Sequence, residues 1–83
     1  MERAQALDTL KEVAAEVLSV DPDQVTEAAR FKEDLDADSL DLVELVMELE
    51  ERFDIQVPEE DLENVLTVGN AVDLVMAKVD AKS

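Results

Sequence analysis

The sequence predicts an all-α fold, a small four-helix bundle with three main helices and one short third helix. Apolar residues recur at three- and four-residue spacing in three separate stretches, which is typical of amphipathic helices. No alternating pattern of the kind that marks a β-strand persists along the chain. The chain has 83 residues and no cysteine, so we expect one small domain whose core comes from packed helices alone.

The first helix is predicted over residues 4–18, and a long loop over residues 19–38 comes after it. The apolar stripe of this helix comprises Leu7, Leu10, Ala14, Val17 and Leu18. Pro22 keeps the helix from extending into the loop, because the residue before a proline disfavours the helical conformation. The apolar residues of the loop are Val20, Val25, Phe31 and Leu35. A loop of this length in a small domain is usually pinned to the core or functional.

The second helix is predicted from Ser39 to Phe53, and the remaining helices come after a short extended piece. At about 100° per residue, its core face comprises Leu42, Leu45, Val46, Leu49 and Phe53. The segment PEEDLENV predicts a short third helix, with Pro58 at its first position. Thr67 is the expected N-cap of a last helix over about 68–79, and the tail DAKS is expected to fray. The buried stripe of that helix comprises Val68, Ala71, Val72, Val75, Met76 and Val79.

The charge of the chain limits its partners, with 23 acidic residues against 7 basic ones and a net charge of −16. Nucleic acid is excluded because phosphate contacts need lysine and arginine, and anionic membrane surfaces are disfavoured for the same reason. No apolar run approaches the roughly 18 residues of a membrane span, and the N-terminus lacks the apolar core of a signal peptide. We therefore expect a cytoplasmic monomer, without membrane insertion, whose protein partners present basic surfaces.

Several residue types that carry catalysis are missing from the chain, namely histidine, cysteine, tryptophan and tyrosine. Their absence removes the usual general base, the usual nucleophile and the usual stacking platforms. Carboxylate catalysis remains compatible with the composition, but so small a chain has little room for a deep cleft. We expect that the protein is not an enzyme and has no catalytic residue.

Three apolar residues of the second helix fall on the side away from its core face. They are Leu40, Val43 and Met47, and Glu44 and Glu51 share their side. The flanks of that side carry Asp41, Glu48 and Glu50. An apolar centre with a charged rim is typical of a docking surface. Single exposed apolar residues are also normal, and the loop or the third helix could cover these three, so the pattern leaves both interpretations open.

Ser39 stands where the second helix begins. Serine is a favoured N-cap, which gives it a structural role without any chemistry. A hydroxyl at a helix N-terminus is also exposed and well placed for an attached phosphate, because the helix dipole favours negative charge there. The nearest basic residue in sequence is Lys32 and no histidine exists to activate the hydroxyl, so any chemistry on Ser39 must be done by another protein.

The acidic residues before Ser39 partly match a calcium-binding loop. They are Asp34, Asp36 and Asp38, at positions one, three and five of the EF-hand pattern. Position six requires glycine and is Ser39, and position twelve requires glutamate and is Leu45. Two required positions fail, so we expect no dedicated metal site. Weak binding of divalent cations by these acids would only relieve charge.

From Phe31 to Val72 the sequence closely resembles the acyl carrier proteins. The resemblance lies in FKEDLDADSLDLVELVMELEERFDIQVPEEDLENVLTVGNAV, above all in DSLD followed by VELVMELEERFD. The first helix and the loop agree in length and pattern, so the resemblance covers nearly the whole chain and implies a single acyl carrier domain over residues 1–83. It implies that Ser39 carries 4′-phosphopantetheine, whose thiol holds acyl groups as thioesters. The partner-facing positions of the family correspond to Asp38, Leu40, Asp41, Val43, Glu44, Met47, Glu50 and Glu51.

The resemblance also implies the function, which is to carry growing acyl chains between enzymes of bacterial-type fatty acid synthesis. A phosphopantetheinyl transferase would load Ser39, and the aliphatic core could part to admit an acyl chain, although the same composition suits an ordinary core. Asp36 stands where many members have glycine, which adds a negative charge beside the arm and could alter the loop backbone. Two alternatives stay open: a carrier of a polyketide or other specialised acyl pathway, and an unmodified acidic protein-binding module. The intact DSL motif speaks against the second.

Overall fold

The computed structural model describes the backbone of residues 2–82 and the side chains of residues 2–81, and its helices confirm the predicted all-α fold. The helices are α1 (Arg3–Leu18), a 3₁₀ turn (Pro22–Gln24), α2 (Ser39–Phe53), α3 (Glu59–Leu62) and α4 (Val68–Lys82). In this part of the chain the only β-type pairing is one isolated antiparallel bridge between Arg30 and Thr67. No helix within residues 2–82 combines the length and the apolar character that crossing a membrane requires.

Helix α1 begins one residue before its predicted start and ends at the predicted Leu18. Ser19 comes next in the left-handed conformation, with φ of 56°. The buried side chains are Ala6, Leu10, Val13 and Ala14. The predicted stripe was therefore partly wrong, because Leu7, Val17 and Leu18 are only half-buried at its margin and Ala6 and Val13 take the central places.

Helix α2 has the predicted bounds, and its core face is the predicted one. Leu45, Val46 and Leu49 are buried, while Leu42 and Phe53 are half-buried at the two ends of the face. Asp54 ends the helix in the left-handed conformation, and its N–H donates to the carbonyl of Glu50.

Helix α3 is shorter than predicted, since only Glu59–Leu62 is helical. Pro58 is its N-cap in the extended conformation and not its first helical residue, which corrects the prediction by one position. Thr67 is the N-cap of α4, as predicted. Its Oγ1 accepts a hydrogen bond from the Asn70 N–H at 3.1 Å, and its own N–H donates to Asn70 Oδ1 at 3.1 Å.

Helix α4 buries Val68, Ala71, Val72 and Val75, with Met76 and Val79 half-buried. It continues to Lys82, so the predicted end near residue 79 is wrong. Residues 80–82, where the tail was expected to fray, are helical, and Ser83 lies outside the described residues. Neither a glycine nor a proline occurs after residue 79, so the sequence holds no signal that would stop the helix.

The long loop is pinned to the core and to the start of α4, as its length suggested. Its buried anchors are Val25, Ala29, Phe31, Leu35 and Ala37. The Val68 N–H donates to the carbonyl of Ala29 at 2.9 Å, and the Phe31 N–H donates to the carbonyl of Leu66 at 3.1 Å. Gly69 of α4 lies close to the loop backbone, since a Cβ at this position would be 3.1 Å from the Glu27 carbonyl oxygen. The loop therefore approaches α2 along a fixed path.

Candidate functional site

Ser39 reaches the surface through a tight turn of the loop. The Ala37 N–H donates to the carbonyl of Phe31 at 2.7 Å, and the Leu35 N–H donates to the carbonyl of Arg30 at 3.2 Å. Between the buried Leu35 and Ala37, Asp36 adopts the left-handed conformation with φ of 54°. An L-residue with a Cβ rarely adopts this conformation, although aspartate tolerates it better than most. The left-handed conformation explains why glycine suits this position. Aspartate can replace glycine here because it tolerates this conformation better than most residues with a Cβ.

The N-cap of α2 is Asp38, so the structural role expected for Ser39 is wrong. Asp38 Oδ1 accepts a hydrogen bond from the Asp41 N–H at 2.9 Å, and the Asp38 N–H donates to Asp41 Oδ2 at 3.2 Å. Ser39 is the first residue inside the helix, and its side chain is exposed. Its hydroxyl has no hydrogen-bond partner among the described residues. Because the neighbouring aspartate does the capping, the hydroxyl is left available for chemistry.

The outward face of α2 is apolar along its middle, as the spacing predicted. Leu40 is 66% exposed, Met47 is 59% exposed and Val43 is 36% exposed. Glu44 and Glu51 are exposed and share a shallow depression with Met47. Neither the loop nor α3 covers Leu40 and Met47, so that alternative is wrong for these two side chains. Val43 lies at the edge of a groove that Lys32 of the loop and Leu62 of α3 also line.

Three of the acids assigned to this face have local structural roles. Asp38 and Asp41 hold each other in the cap. The half-buried Glu50 accepts a hydrogen bond at its Oε2 from the Val57 N–H at 2.9 Å, which fixes the segment after α2. Glu44 and Glu51 therefore carry the charge that is most available to a partner.

Leu66 is a further exposed apolar residue that the sequence did not reveal. It is 65% exposed and lies in the turn before α4. With Ser39 and Val43 it lines a surface groove of about 280 Å³, whose other residues are Lys32, Leu42, Leu62, Glu63 and Val65. Helical periodicity cannot identify such a residue, because Leu66 lies between helices and meets α2 only in the folded chain.

A nearly closed cavity lies under α2, between that helix and α3 and α4. Its volume is about 10 Å³, which is room for about one water molecule. Every lining residue is apolar: Leu42, Leu45, Val46, Leu49, Val57, Leu62, Val65, Ala71, Leu74 and Val75. Leu42, Leu62 and Val65 also line the groove beside Ser39, so the two spaces are neighbours.

The charges near Ser39 are mostly negative and mostly solvent-exposed. Hydrogen bonding from the Arg30 backbone N–H, at 2.8 Å, and the Arg30 charge lower the pKa of the Asp34 carboxyl. Arg30 also forms an ion pair with Glu33. Among the described residues no three acidic side chains come together in a way that could hold a metal ion.

Comparisons with known proteins give a consistent result. Residues 8–75 match the family described as the phosphopantetheine attachment site. The chain is 51% identical over 76 residues to the acyl carrier protein of Rubrobacter xylanophilus, covering 92% of this chain and 94% of the relative. It is 46% identical over 81 residues to that of Thermosynechococcus vestitus, covering 98% of this chain and 100% of the relative.

Two solved structures extend the similarity to the fold. The acyl carrier protein of Thermotoga maritima superposes with a TM-score of 0.88 at 31% identity, covering 100% of this chain and 96% of that one. The acyl carrier protein of Enterococcus faecalis superposes with a TM-score of 0.76 at 36% identity, covering 94% of this chain and 99% of that one.

Proposed function

The chain belongs to the acyl carrier protein family, and from this premise we propose that Ser39 carries the 4′-phosphopantetheine arm that holds acyl chains in fatty acid synthesis. The observation that carries the proposal is the unpartnered, exposed hydroxyl at the first residue of α2. A phosphate attached there lies at the positive end of a helix, where negative charge is favoured. The residues present therefore fit the group.

Loading of Ser39 requires a second protein. The Ser39 oxygen forms a bond to the pantetheine-side phosphorus of coenzyme A, the bond between the two phosphates breaks, and adenosine 3′,5′-bisphosphate leaves with the bonding electrons. The hydroxyl proton must pass to a base, and the chain has no histidine to accept it. The base and the Mg²⁺ that screens the phosphates are therefore assigned to the phosphopantetheinyl transferase.

The acyl chain is proposed to enter the cavity under α2. This proposal is supported by the wholly apolar lining and by the shared residues that connect the cavity to the groove beside Ser39. The cavity of about 10 Å³ is far too small for an acyl chain, so α2 must move away from α3 and α4 as the chain enters. Aliphatic side chains line it throughout, and none of them has a polar group that the movement would leave unpaired.

The outward face of α2 is proposed as the surface that the transferase and the synthesis enzymes contact. Leu40, Val43 and Met47 form its apolar centre, and Glu44 and Glu51 supply charge for basic residues of a partner. Leu66 extends the apolar centre across the groove beside Ser39. Asp38, Asp41 and Glu50 complete the proposed set at its margin, with their local hydrogen bonds retained. The protein itself presents the acyl group and does not catalyse the reactions.

The attachment site is tested by intact mass after incubation with coenzyme A, Mg²⁺ and a phosphopantetheinyl transferase. Wild-type protein should gain one phosphopantetheine group, and Ser39→Ala should gain none. Ser19→Gly is the matched control, because it removes the other described serine at a position whose φ of 56° suits glycine. A group that still attaches to Ser39→Ala would overturn the assignment.

A further inference from the structure

We propose that the ammonium group of Lys32 pairs with the phosphodiester of the arm on Ser39 and thereby positions the arm in the groove. The inference rests on the proposed attachment to Ser39. Lys32 and Ser39 line the same groove of about 280 Å³. The role is one of positioning, since the proposed contact is with the phosphodiester after it has formed and not with the reacting atoms during loading.

Lys32 stands out among the described bases because it lines the groove beside Ser39 and also forms no ion pair with a described carboxylate. Arg3, Arg30, Arg52 and Lys78 each form at least one ion pair with an acidic side chain. The exposed Lys32 forms none with the described residues, in a chain that has 23 acids and only 7 bases. Lys11, which also lacks such a partner among the described residues, lies on α1 and does not line the groove.

The backbone holds Lys32 beside the groove. The preceding residue, Phe31, is fully buried and donates its N–H to the carbonyl of Leu66 at 3.1 Å. The carbonyl of Phe31 accepts the Ala37 N–H at 2.7 Å, two residues before Ser39. The backbone of Lys32 is therefore held next to the wall of the groove and next to the turn that leads to Ser39.

The charges around Ser39 give a positive group there a function. Asp36, Asp38 and Asp41 all lie within three residues of Ser39 and would repel the negative charge of a phosphodiester. The cap at Asp38 also takes up the Asp41 N–H, one of the donors that a helix N-terminus offers to an anion. Among the described residues that line the groove, Lys32 is the only basic one, so it is the side chain that can offset this repulsion. An exposed pair of this kind is weak and salt-sensitive.

The first test uses nuclear magnetic resonance of the wild-type protein, before and after loading. The ¹⁵Nζ and ¹³Cε resonances of Lys32 should shift when the arm is attached, and those of Lys11 should not. Added salt should return the Lys32 resonances toward their positions in the unloaded protein. Lys32 resonances that are the same in the two forms would overturn the proposal. This measurement needs no variant, so it stands even if a substitution impairs loading.

The second test compares variants by the ³¹P resonance of the loaded arm. Lys32→Gln should shift this resonance from its wild-type position, whereas Lys32→Arg and the matched control Lys11→Gln should leave it near that position. An unchanged ³¹P resonance in Lys32→Gln would count against the pair. Intact mass is recorded for every sample, since wild-type protein that fails to load would refute the function proposed for Ser39 and not the role of Lys32.

Discussion

The carboxylate of Asp38 accepts the backbone N–H of Asp41 at 2.9 Å, and the carboxylate of Asp41 accepts the backbone N–H of Asp38 at 3.2 Å. This reciprocal pair starts α2 without the help of Ser39. The acidic residue that precedes the serine therefore stabilises the helix, and the Ser39 hydroxyl has no hydrogen-bond partner among the described residues.

We predict that substitution by alanine changes the stability of the protein differently at Asp38 and at Ser39. Asp38→Ala should lower the free energy of unfolding of the unmodified protein by about 0.5–2 kcal/mol, because an N-cap is lost. Ser39→Ala should change it by less than about 0.5 kcal/mol, since the residue is exposed and its hydroxyl has no partner among the described residues. Urea unfolding measures both. A loss at Ser39→Ala as large as that at Asp38→Ala would mean that the serine also caps the helix.

Asp36 provides a second test of the turn that presents Ser39. Asp36→Gly should raise the free energy of unfolding by up to about 1 kcal/mol, because glycine adopts φ of 54° without a steric cost. Asp36→Ala removes the same charge and keeps the Cβ, so it should be less stable than Asp36→Gly. Thermal unfolding in the same buffer ranks the three proteins. An equal gain in both variants would assign the effect to charge and not to backbone conformation.

Asp34 is expected to titrate below the ordinary range of an aspartate. Its carboxylate accepts the Arg30 backbone N–H, which is the main cause of the lowered pKa, and the Arg30 charge adds to it. A lowered pKa in the folded state means that ionised Asp34 favours folding. This contribution is complete above the unfolded pKa and is lost as the pH falls through the folded pKa.

The two causes can be separated by observing the Asp34 ¹³Cγ resonance as the pH is lowered. Arg30→Gln removes the charge and retains the backbone N–H, so the pKa of Asp34 should rise but stay below its ordinary value. A complete return to the ordinary value in Arg30→Gln would show that the side-chain charge, and not the backbone hydrogen bond, lowers the pKa.

The sequence was sufficient to predict the parts of this site that depend on one helix alone. The bounds of α2 and the outward direction of Met47 are set by local spacing, and the structure agrees with both. The cap could not be assigned between Asp38 and Ser39, because both residue types are good caps and they are adjacent. The place of Leu66 in the groove beside Ser39 depends on how separate segments pack together, and so does the hydrogen bond from the Val57 N–H to Glu50 Oε2. Local periodicity holds no information about such packing.

Charge on the outward face of α2 should control how fast partners arrive. Glu44→Lys and Glu51→Lys should slow association with the transferase, because each replaces an acid that attracts a basic surface. Glu12→Lys on α1 is the matched control, with the same change in net charge at another exposed site. Stopped-flow association rates measure the effect, and the wild-type rate should fall as salt increases. Equal slowing by Glu12→Lys would show that net charge, and not this face, attracts the partner.

The apolar centre of the same face should instead control how long partners stay. Met47→Ala and Leu66→Ala should raise the dissociation rate of the transferase, because each removes an exposed apolar side chain from the proposed contact. Both variants should fold with nearly wild-type stability, since these side chains are 59% and 65% exposed. Leu45→Ala is the control on the opposite face: Leu45 is 1% exposed, and its truncation should cost about 2–5 kcal/mol of stability. Surface plasmon resonance gives the dissociation rates, and urea unfolding gives the stabilities. If Met47→Ala destabilised the protein as much as Leu45→Ala, or left dissociation unchanged, the outward face of α2 would not be the docking surface.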